Sequence, residues 1–92
     1  MHSFDFQTNT NTTNQPVDVT GYFFTGKARQ SFPSRIESEG QILAMFQTGL
    51  RCIVKKGKES IEIFNMNDGV NQYNLRHEPT NNSWTLLSSH SL

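Results

Sequence analysis

Compact turn signals divide the second half of this chain into short segments of similar length. Beyond Leu50, the turn-forming stretches are Lys56-Gly57-Lys58-Glu59, Asn67-Asp68-Gly69 and Pro79-Thr80-Asn81-Asn82. Between the turns, apolar residues tend to alternate with polar ones, which is the period of a strand with one buried face. The pattern predicts an antiparallel meander, in which strands that follow one another along the chain also lie side by side.

The same alternation marks the individual strands. In the second half of the chain, the predicted strands cover residues 50–56, 60–66, 70–77 and 84–88. Upstream, residues 17–24 form another candidate, which carries apolar side chains on both faces. A turn at Thr25-Gly26-Lys27 would lead into a weaker strand over residues 28–32. The sequence therefore predicts a sheet of five or six strands.

The segment between these two groups of strands has a helical pattern. Ser34 precedes Glu37 by three residues, which is the spacing of a capping box. Gly49 occupies the place of a glycine that ends a helix. Apolar residues follow at helical spacing, and they are Ile42, Leu43 and Phe46. These signals predict a helix from Arg35 to Thr48.

A strand over residues 41–47 is the alternative, because Ile42, Ala44 and Phe46 also alternate. With the helix, the fold class is α+β: a small antiparallel meander sheet with one helix packed on a face. With the strand, the fold is an all-β barrel or sandwich. We expect the α+β arrangement, since several residues of this segment favour helices.

The length and the composition predict one small domain. The 92 residues include only 34% hydrophobic and 17% charged residues. Both values are below the averages for globular domains, about 45–50% (a count that includes glycine) and 25%. The N-terminal stretch is polar and aperiodic, so residues 1–16 are expected to be a flexible tail, in which Phe4 and Phe6 either dock on the domain or stay free. The domain spans residues 17–89, and residues 90–92 are expected to fray.

Charge and cysteine content bear on the cellular compartment and the partners of this chain. The formal net charge is zero, so overall attraction to nucleic acids or membranes is weak. Cys52 is the only cysteine, which rules out an internal disulfide. We expect a cytoplasmic protein that has no cofactor and no metal, since a zinc site needs several ligands. No apolar run reaches the roughly 18 residues of a membrane span, and no secretion signal is evident.

Apolar side chains on both faces of a thin sheet predict an interaction surface, because one helix cannot cover both faces. The candidate residues are Tyr22, Phe24, Phe64 and Met66. The leading functional hypothesis is a small non-catalytic binding or regulatory module. It would act through protein–protein contact or through self-association as a homo-oligomer.

A basic hairpin supports a second hypothesis, the binding of single-stranded nucleic acid. Its candidate contacts are Arg51, Lys55, Lys56 and Lys58. Basic side chains follow a phosphate backbone, and nearby aromatic rings stack on bases. The neutral net charge makes this hypothesis the weaker one.

A minimal cysteine-dependent enzyme is the third hypothesis. It would use Cys52 as the nucleophile and His77 as the base. However, alternation places Cys52 beside Leu50 and Val54 on an apolar face, where a thiol behaves as a small buried hydrophobe. We therefore predict that Cys52 is buried and that the chain has no catalytic residues.

Overall fold

The computed structural model describes residues 10–26 and 30–92, and every regular element in these ranges is a β-strand. The seven strands are Thr10–Thr25 (β1), Gln30–Ser38 (β2), Gln41–Met45 (β3), Thr48–Lys56 (β4), Glu59–Asn67 (β5), Asn71–Glu78 (β6) and Ser83–Ser91 (β7). The described residues include no helix long and apolar enough to cross a membrane.

The seven strands form one antiparallel sheet in the order β3-β2-β1-β7-β6-β5-β4. The long strand β1 joins its two halves. Residues 10–17 pair with β7 and residues 18–25 pair with β2, with irregular register on either side of Gly21. Such irregularities increase the local twist, which helps the sheet to curl into a half-barrel.

The two edge strands, β3 and β4, approach each other at one end of the curled sheet. Only Phe46 and Gln47 separate them in the chain. The N–H of Phe46 donates to the carbonyl of Ser34 in β2 at 2.8 Å, and that of Gln47 donates to the carbonyl of Asn67 in β5 at 2.9 Å. The sheet is thus drawn together at this end, while the other ends of β2 and β4 remain unpaired with each other.

The antiparallel meander predicted for the second half of the chain is confirmed. Lys56 pairs with Glu59, so Gly57 and Lys58 form a two-residue loop. Gly57 has a φ of 65°, which suits the first position of a type II′ hairpin turn. In the next turn, Asp68 Oδ1 accepts hydrogen bonds from the N–H groups of Val70 (2.9 Å) and Asn71 (2.7 Å).

The predicted helix from Arg35 to Thr48 is wrong, and with it the α+β fold class; the all-β alternative is the correct one. This segment forms β2, a tight turn and β3. Glu39 and Gly40 have φ values of 52° and 80°, which is the pattern of a type I′ hairpin turn. The β2–β3 pairing buries Ile36 against Ala44, a cross-strand contact between residues too far apart for one turn of helix.

One face of the sheet, here called the inner face, carries the hydrophobic core. The core residues are Val17, Phe32, Ile36, Ala44, Phe46, Phe64, Met66, Leu75, Trp84 and Leu86. Several of them are direct cross-strand partners, including Phe64 with Leu75 and Leu75 with Leu86. Because the sheet curls around its own inner face, these side chains pack without a second layer.

The strands extend beyond the predicted domain limits. β1 begins at Thr10, so residues 10–16 of the predicted tail belong to a strand, while Phe4 and Phe6 lie outside the described residues. At the other end β7 continues to Ser91, and the N–H of Leu92 donates to the carbonyl of Val70 at 2.9 Å.

Candidate ligand-binding cleft

A row of side chains crosses the inner face of the sheet from β4 to β1. In order, the cross-strand partners are Ile53, Glu62, His77, Trp84 and Val17. Strand alternation places all of them on the same face, since each is directly opposite the next. The row is exposed at Ile53 on β4, carries the Glu62–His77 ion pair on β5 and β6, and is buried and apolar at Val17 on β1.

Glu62 lies at the centre of an ionic network on this row. Its Oε2 accepts hydrogen bonds from Nε (2.9 Å) and Nη2 of Arg51, and its Oε1 lies 2.7 Å from Nδ1 of His77. Burial by itself raises the pKa of Glu62, but the hydrogen bonds and charges of His77 and Arg51 together lower it below the ordinary value of 4.5. Glu62 is therefore an ionised acceptor at neutral pH.

His77 is held from three directions. Besides Glu62 at Nδ1, it has Asn82 Oδ1 at 2.8 Å from Nε2. Its ring stacks on the indole of Trp84, with centroids 4.2 Å apart and an angle of 23° between the planes. Both ring nitrogens are therefore engaged, and neither is directed at an open position where a substrate proton would lie.

Aromatic rings form the floor and one wall of a cleft beside this network. Trp84 and Phe64 lie on the floor with centroids 5.3 Å apart, and Tyr22 lies 6.5 Å from Trp84. Tyr22 and Phe24 are 48% and 62% exposed, so the wall that they form is open to solvent. The cleft has a volume of about 500 Å³ and is lined by Tyr22, Phe24, Gln30, Ser31, Arg51, Glu62, Phe64, His77 and Trp84.

The Nε1–H of Trp84 is buried, and no acceptor for it is found among the described residues. An unsatisfied buried donor costs about 1–3 kcal/mol, so such donors are rare in folded proteins and this one is a distinctive feature of the residue that forms the floor of the cleft.

The rim of the cleft includes an unpaired edge of β2. β3 pairs with β2 only from Arg35 to Ser38, so residues 30–33 have no neighbouring strand on that side in the described chain. The carbonyl of Ser34 points toward β3, since it accepts from Phe46. Tyr22 pairs with Pro33, which has no N–H to donate, so these two are a non-hydrogen-bonded pair. The backbone groups of Phe32 and Gln30 therefore face β1, and those of Ser31, with the carbonyl of Pro33, face the unpaired side.

The structure brings together three of the four residues predicted as an interaction surface. Tyr22 and Phe24 form the exposed wall, and Phe64 contributes to the floor with only 3% of its surface exposed. Met66 is fully buried in the core next to Tyr73, and it offers no surface to a partner.

The basic residues of the β4–β5 hairpin are not equivalent. Arg51 points into the cleft and is neutralised by Glu62. Lys55 and Lys58 are exposed on the hairpin, whereas the side chain of Lys56 lies outside the described part of the structure. Only two cations of the predicted nucleic-acid contact are thus seen to be exposed and outside the Glu62 network.

The prediction that Cys52 is buried is wrong: its side chain is exposed. β4 is an edge strand, and its outer face, opposite the core, remains open to solvent. Cys52 is the cross-strand partner of Ile63, whereas His77 is the partner of Glu62, the neighbouring residue of β5. Neighbouring residues of a strand point to opposite faces, so the thiol and the imidazole are on different sides of the sheet.

The alternation pattern did not reveal four components of the site, Glu62, Trp84, Gln30 and Ser31. Each has an ordinary place in an alternating strand, and only the strand register shows that they meet. No group of three potential metal ligands among His, Cys, Asp and Glu occurs in the described residues.

No protein-family model matches this chain, and neither a curated protein nor a solved structure shows significant similarity to it.

Proposed function

We propose that this chain is a small non-catalytic binding module whose cleft receives an aromatic or large apolar side chain from an extended segment of a partner protein. The observation that carries the proposal is the wall of exposed Tyr22 and Phe24 above the Trp84 floor. Exposed aromatic rings beside a pocket that is mostly apolar, with a few fixed polar groups, are typical of binding sites.

The unpaired edge of β2 favours a peptide as the occupant. The backbone groups of Ser31 and the carbonyl of Pro33 face away from β1 at the rim, where an extended segment can add as a further strand. Alternate side chains of such a segment would point into the cleft. A small aromatic molecule would use the rings of the cleft but not this edge.

The ionic network supports binding rather than catalysis. Arg51, Glu62 and His77 already hydrogen-bond to one another or to Asn82. They therefore form a fixed polar network in which each side chain already has a partner. Cys52, the only thiol, is on the opposite face of the sheet. A preorganised polar network of this kind orients a ligand without reacting with it.

Charge near the cleft favours a partner with acidic residues. Lys55 is on the same face of β4 as Arg51 and is exposed, so the rim beyond the Arg51–Glu62 pair is positive. Carboxylates beside the anchoring side chain would be attracted to this rim. We place the protein in the cytoplasm, where a single exposed thiol would stay reduced.

Titration with designed peptides tests the proposal. The probe is a short capped peptide that has a central phenylalanine, a valine on each side and glutamates at both ends. Trp84, the only tryptophan, reports occupancy of the cleft by its fluorescence. We expect a saturable change with this peptide, a much weaker one with central alanine, and weaker binding when lysines replace the glutamates.

Matched variants locate the binding surface. Phe24→Ala is expected to weaken peptide affinity about tenfold, the loss of roughly 1.4 kcal/mol that an interface anchor provides. Leu50→Ala is the control, since Leu50 is 75% exposed on the outer face and its change should leave affinity unaltered. Equal affinity of both variants for the phenylalanine peptide, or no saturable binding by the wild type, would refute the proposal.

A further inference from the structure

The edge strand β4 is unusually open to pairing. It has nine residues and, within residues 10–26 and 30–92, pairs as a strand only with β5, so one of its sides has no neighbouring strand in this part of the chain. The other edge, β3, has only five residues, and the free part of β2 contains Pro33. β4 has no proline, and its register with β5 is regular throughout. A long, regular edge of this kind is a template for another strand.

An apolar stripe accompanies this edge on the outer face. Along β4 its members are exposed, with Leu50 at 75% and Val54 at 45%, and Cys52 lies between them. Ile61 and Ile63 of β5, the partners of Val54 and Cys52, continue the stripe and are half-buried. The stripe therefore lies next to the free edge, where a neighbouring strand would cover it.

We propose that two copies of this chain pair through β4, antiparallel and about a two-fold axis at Cys52, to form one continuous sheet. The tight turn at Gly57-Lys58 makes Lys56 and Glu59 a hydrogen-bonded pair. Alternation along β4 then directs the backbone groups of Val54, Cys52 and Leu50 to β5. Those of the intervening residues face the free side, and these residues are Gly49, Arg51, Ile53 and Lys55.

Charge selects the register of the two copies. With Cys52 opposite Cys52, Arg51 lies opposite Ile53, and Lys55 lies opposite Gly49, which has no side chain. A shift by one step in either direction places Arg51 opposite a second Arg51 or opposite Lys55. Like charges directly opposite are destabilising, so both shifts are disfavoured. Larger shifts shorten the paired segment.

The selected register also joins the two apolar stripes. Leu50 of each copy lies opposite Val54 of the other, with the two Cys52 residues between these pairs. The backbone of Cys52 bonds to β5, so the two cysteines form a non-hydrogen-bonded pair with Cα atoms about 4.5 Å apart. A disulfide spans Cα separations of about 4.4–6.8 Å, so an oxidant can trap this dimer.

Cross-linking with diamide tests the register. Diamide takes two hydrogens from a pair of thiols, is reduced to the hydrazine and leaves a disulfide between them. We expect the wild type to be trapped quickly as a covalent dimer on a non-reducing gel. In a Cys52→Ser background, Leu50→Cys together with Val54→Cys should cross-link as quickly, whereas either cysteine alone should react at least tenfold more slowly. The control for random collision is Val70→Cys in the same background, because Val70 is 67% exposed in the β5–β6 turn and is not part of β4.

Light scattering over a range of protein concentration tests the interface without an oxidant. Ile53→Lys places a lysine opposite Arg51 of the other copy, and it should weaken dimerisation at least tenfold. Val70→Lys introduces the same positive charge in the β5–β6 turn, outside β4, and it should leave dimerisation unaltered. A wild-type protein that stays monomeric at high concentration would overturn the proposal. So would cross-linking of Cys52 no faster than that of the Val70→Cys control. The peptide titration of the cleft is read separately, so the two proposals can fail independently.

Discussion

Glu62 and His77 are cross-strand partners on β5 and β6, and the Oε1 of one lies 2.7 Å from the Nδ1 of the other. The second carboxylate oxygen of Glu62 binds Arg51 on β4. One carboxylate thus links three neighbouring strands at the base of the cleft. Charged groups in a partly buried network of this kind depend on one another, so removal of one should affect the other two.

Replacement of Glu62 by glutamine keeps the size of the side chain and removes its charge. We expect Glu62→Gln to lower the free energy of unfolding at neutral pH by about 1–3 kcal/mol, because Arg51 and His77 lose a charged acceptor. Urea unfolding followed by Trp84 fluorescence measures the difference. Glu59→Gln is the control, since Glu59 is exposed on the hairpin and should change stability little.

The same network predicts a dependence of stability on pH. The pKa of Glu62 is lower in the folded state than its ordinary value of 4.5. Its contribution to stability is therefore fully present above pH 4.5 and is lost as the pH falls through the folded-state pKa. The wild type should lose this increment in acid, and Glu62→Gln should lack it. If the free energy of unfolding falls by the same amount in acid for both proteins, the network contributes nothing to folding.

Asp68 predicts a second acid-sensitive contribution, in the β5–β6 turn. Hydrogen bonds from the N–H groups of Asn71 and Val70 lower its pKa below the ordinary value of 3.8, although slight burial acts in the opposite direction. Asp68→Ala should cost about 1–3 kcal/mol, because two backbone donors lose their acceptor. Asp68→Asn keeps an acceptor at Oδ1 and should cost less. Equal losses in urea unfolding would contradict this account of the turn.

The close approach of Gly49 to β5 predicts that this position does not accept a side chain. A Cβ atom at Gly49 would overlap Met66 Sδ and lie 2.8 Å from the backbone oxygen of Asn65. Met66 is fully buried and cannot move without disturbing the core. Gly49→Ala should therefore destabilise the fold by about 1–3 kcal/mol, as overpacking does. Thr48→Ala, one residue away and exposed, is the control, and an equal effect of both would contradict the clash.

The strands of the second half could be predicted because their alternation and their turns indicate the same structure. The turns at Asp68-Gly69 and at Gly57 are recognised from residues that are adjacent in the chain, so a single sequence is enough to predict them. The cleft was not predictable in this way. It depends on Tyr22 of β1 approaching Trp84 of β7, and such contacts depend on how the whole sheet curls.

Two errors have the same physical origin, because periodicity does not reveal what lies across from a residue. Ile42 and Phe46 fit a helical face as well as a strand, and only pairing between β2 and β3 decided the outcome. Cys52 was expected in the core because its neighbours are apolar, yet β4 is an edge strand whose outer face is open. Position within the sheet, rather than the local pattern, determined both burial and fold class.

The turn at Glu39 and Gly40 provides a direct test of the hairpin that replaces the predicted helix. Glu39 has a φ of 52°, a left-handed conformation that asparagine tolerates better than glutamate. Glu39→Asn should therefore raise the free energy of unfolding by about 0.5–1 kcal/mol, since asparagine-glycine is a preferred type I′ turn. In a helix the same change would be destabilising, because asparagine is a poorer helix former than glutamate. Glu59→Asn is the control, because Glu59 is also exposed but its φ is not positive. A loss of stability specific to Glu39→Asn in urea unfolding would contradict the hairpin.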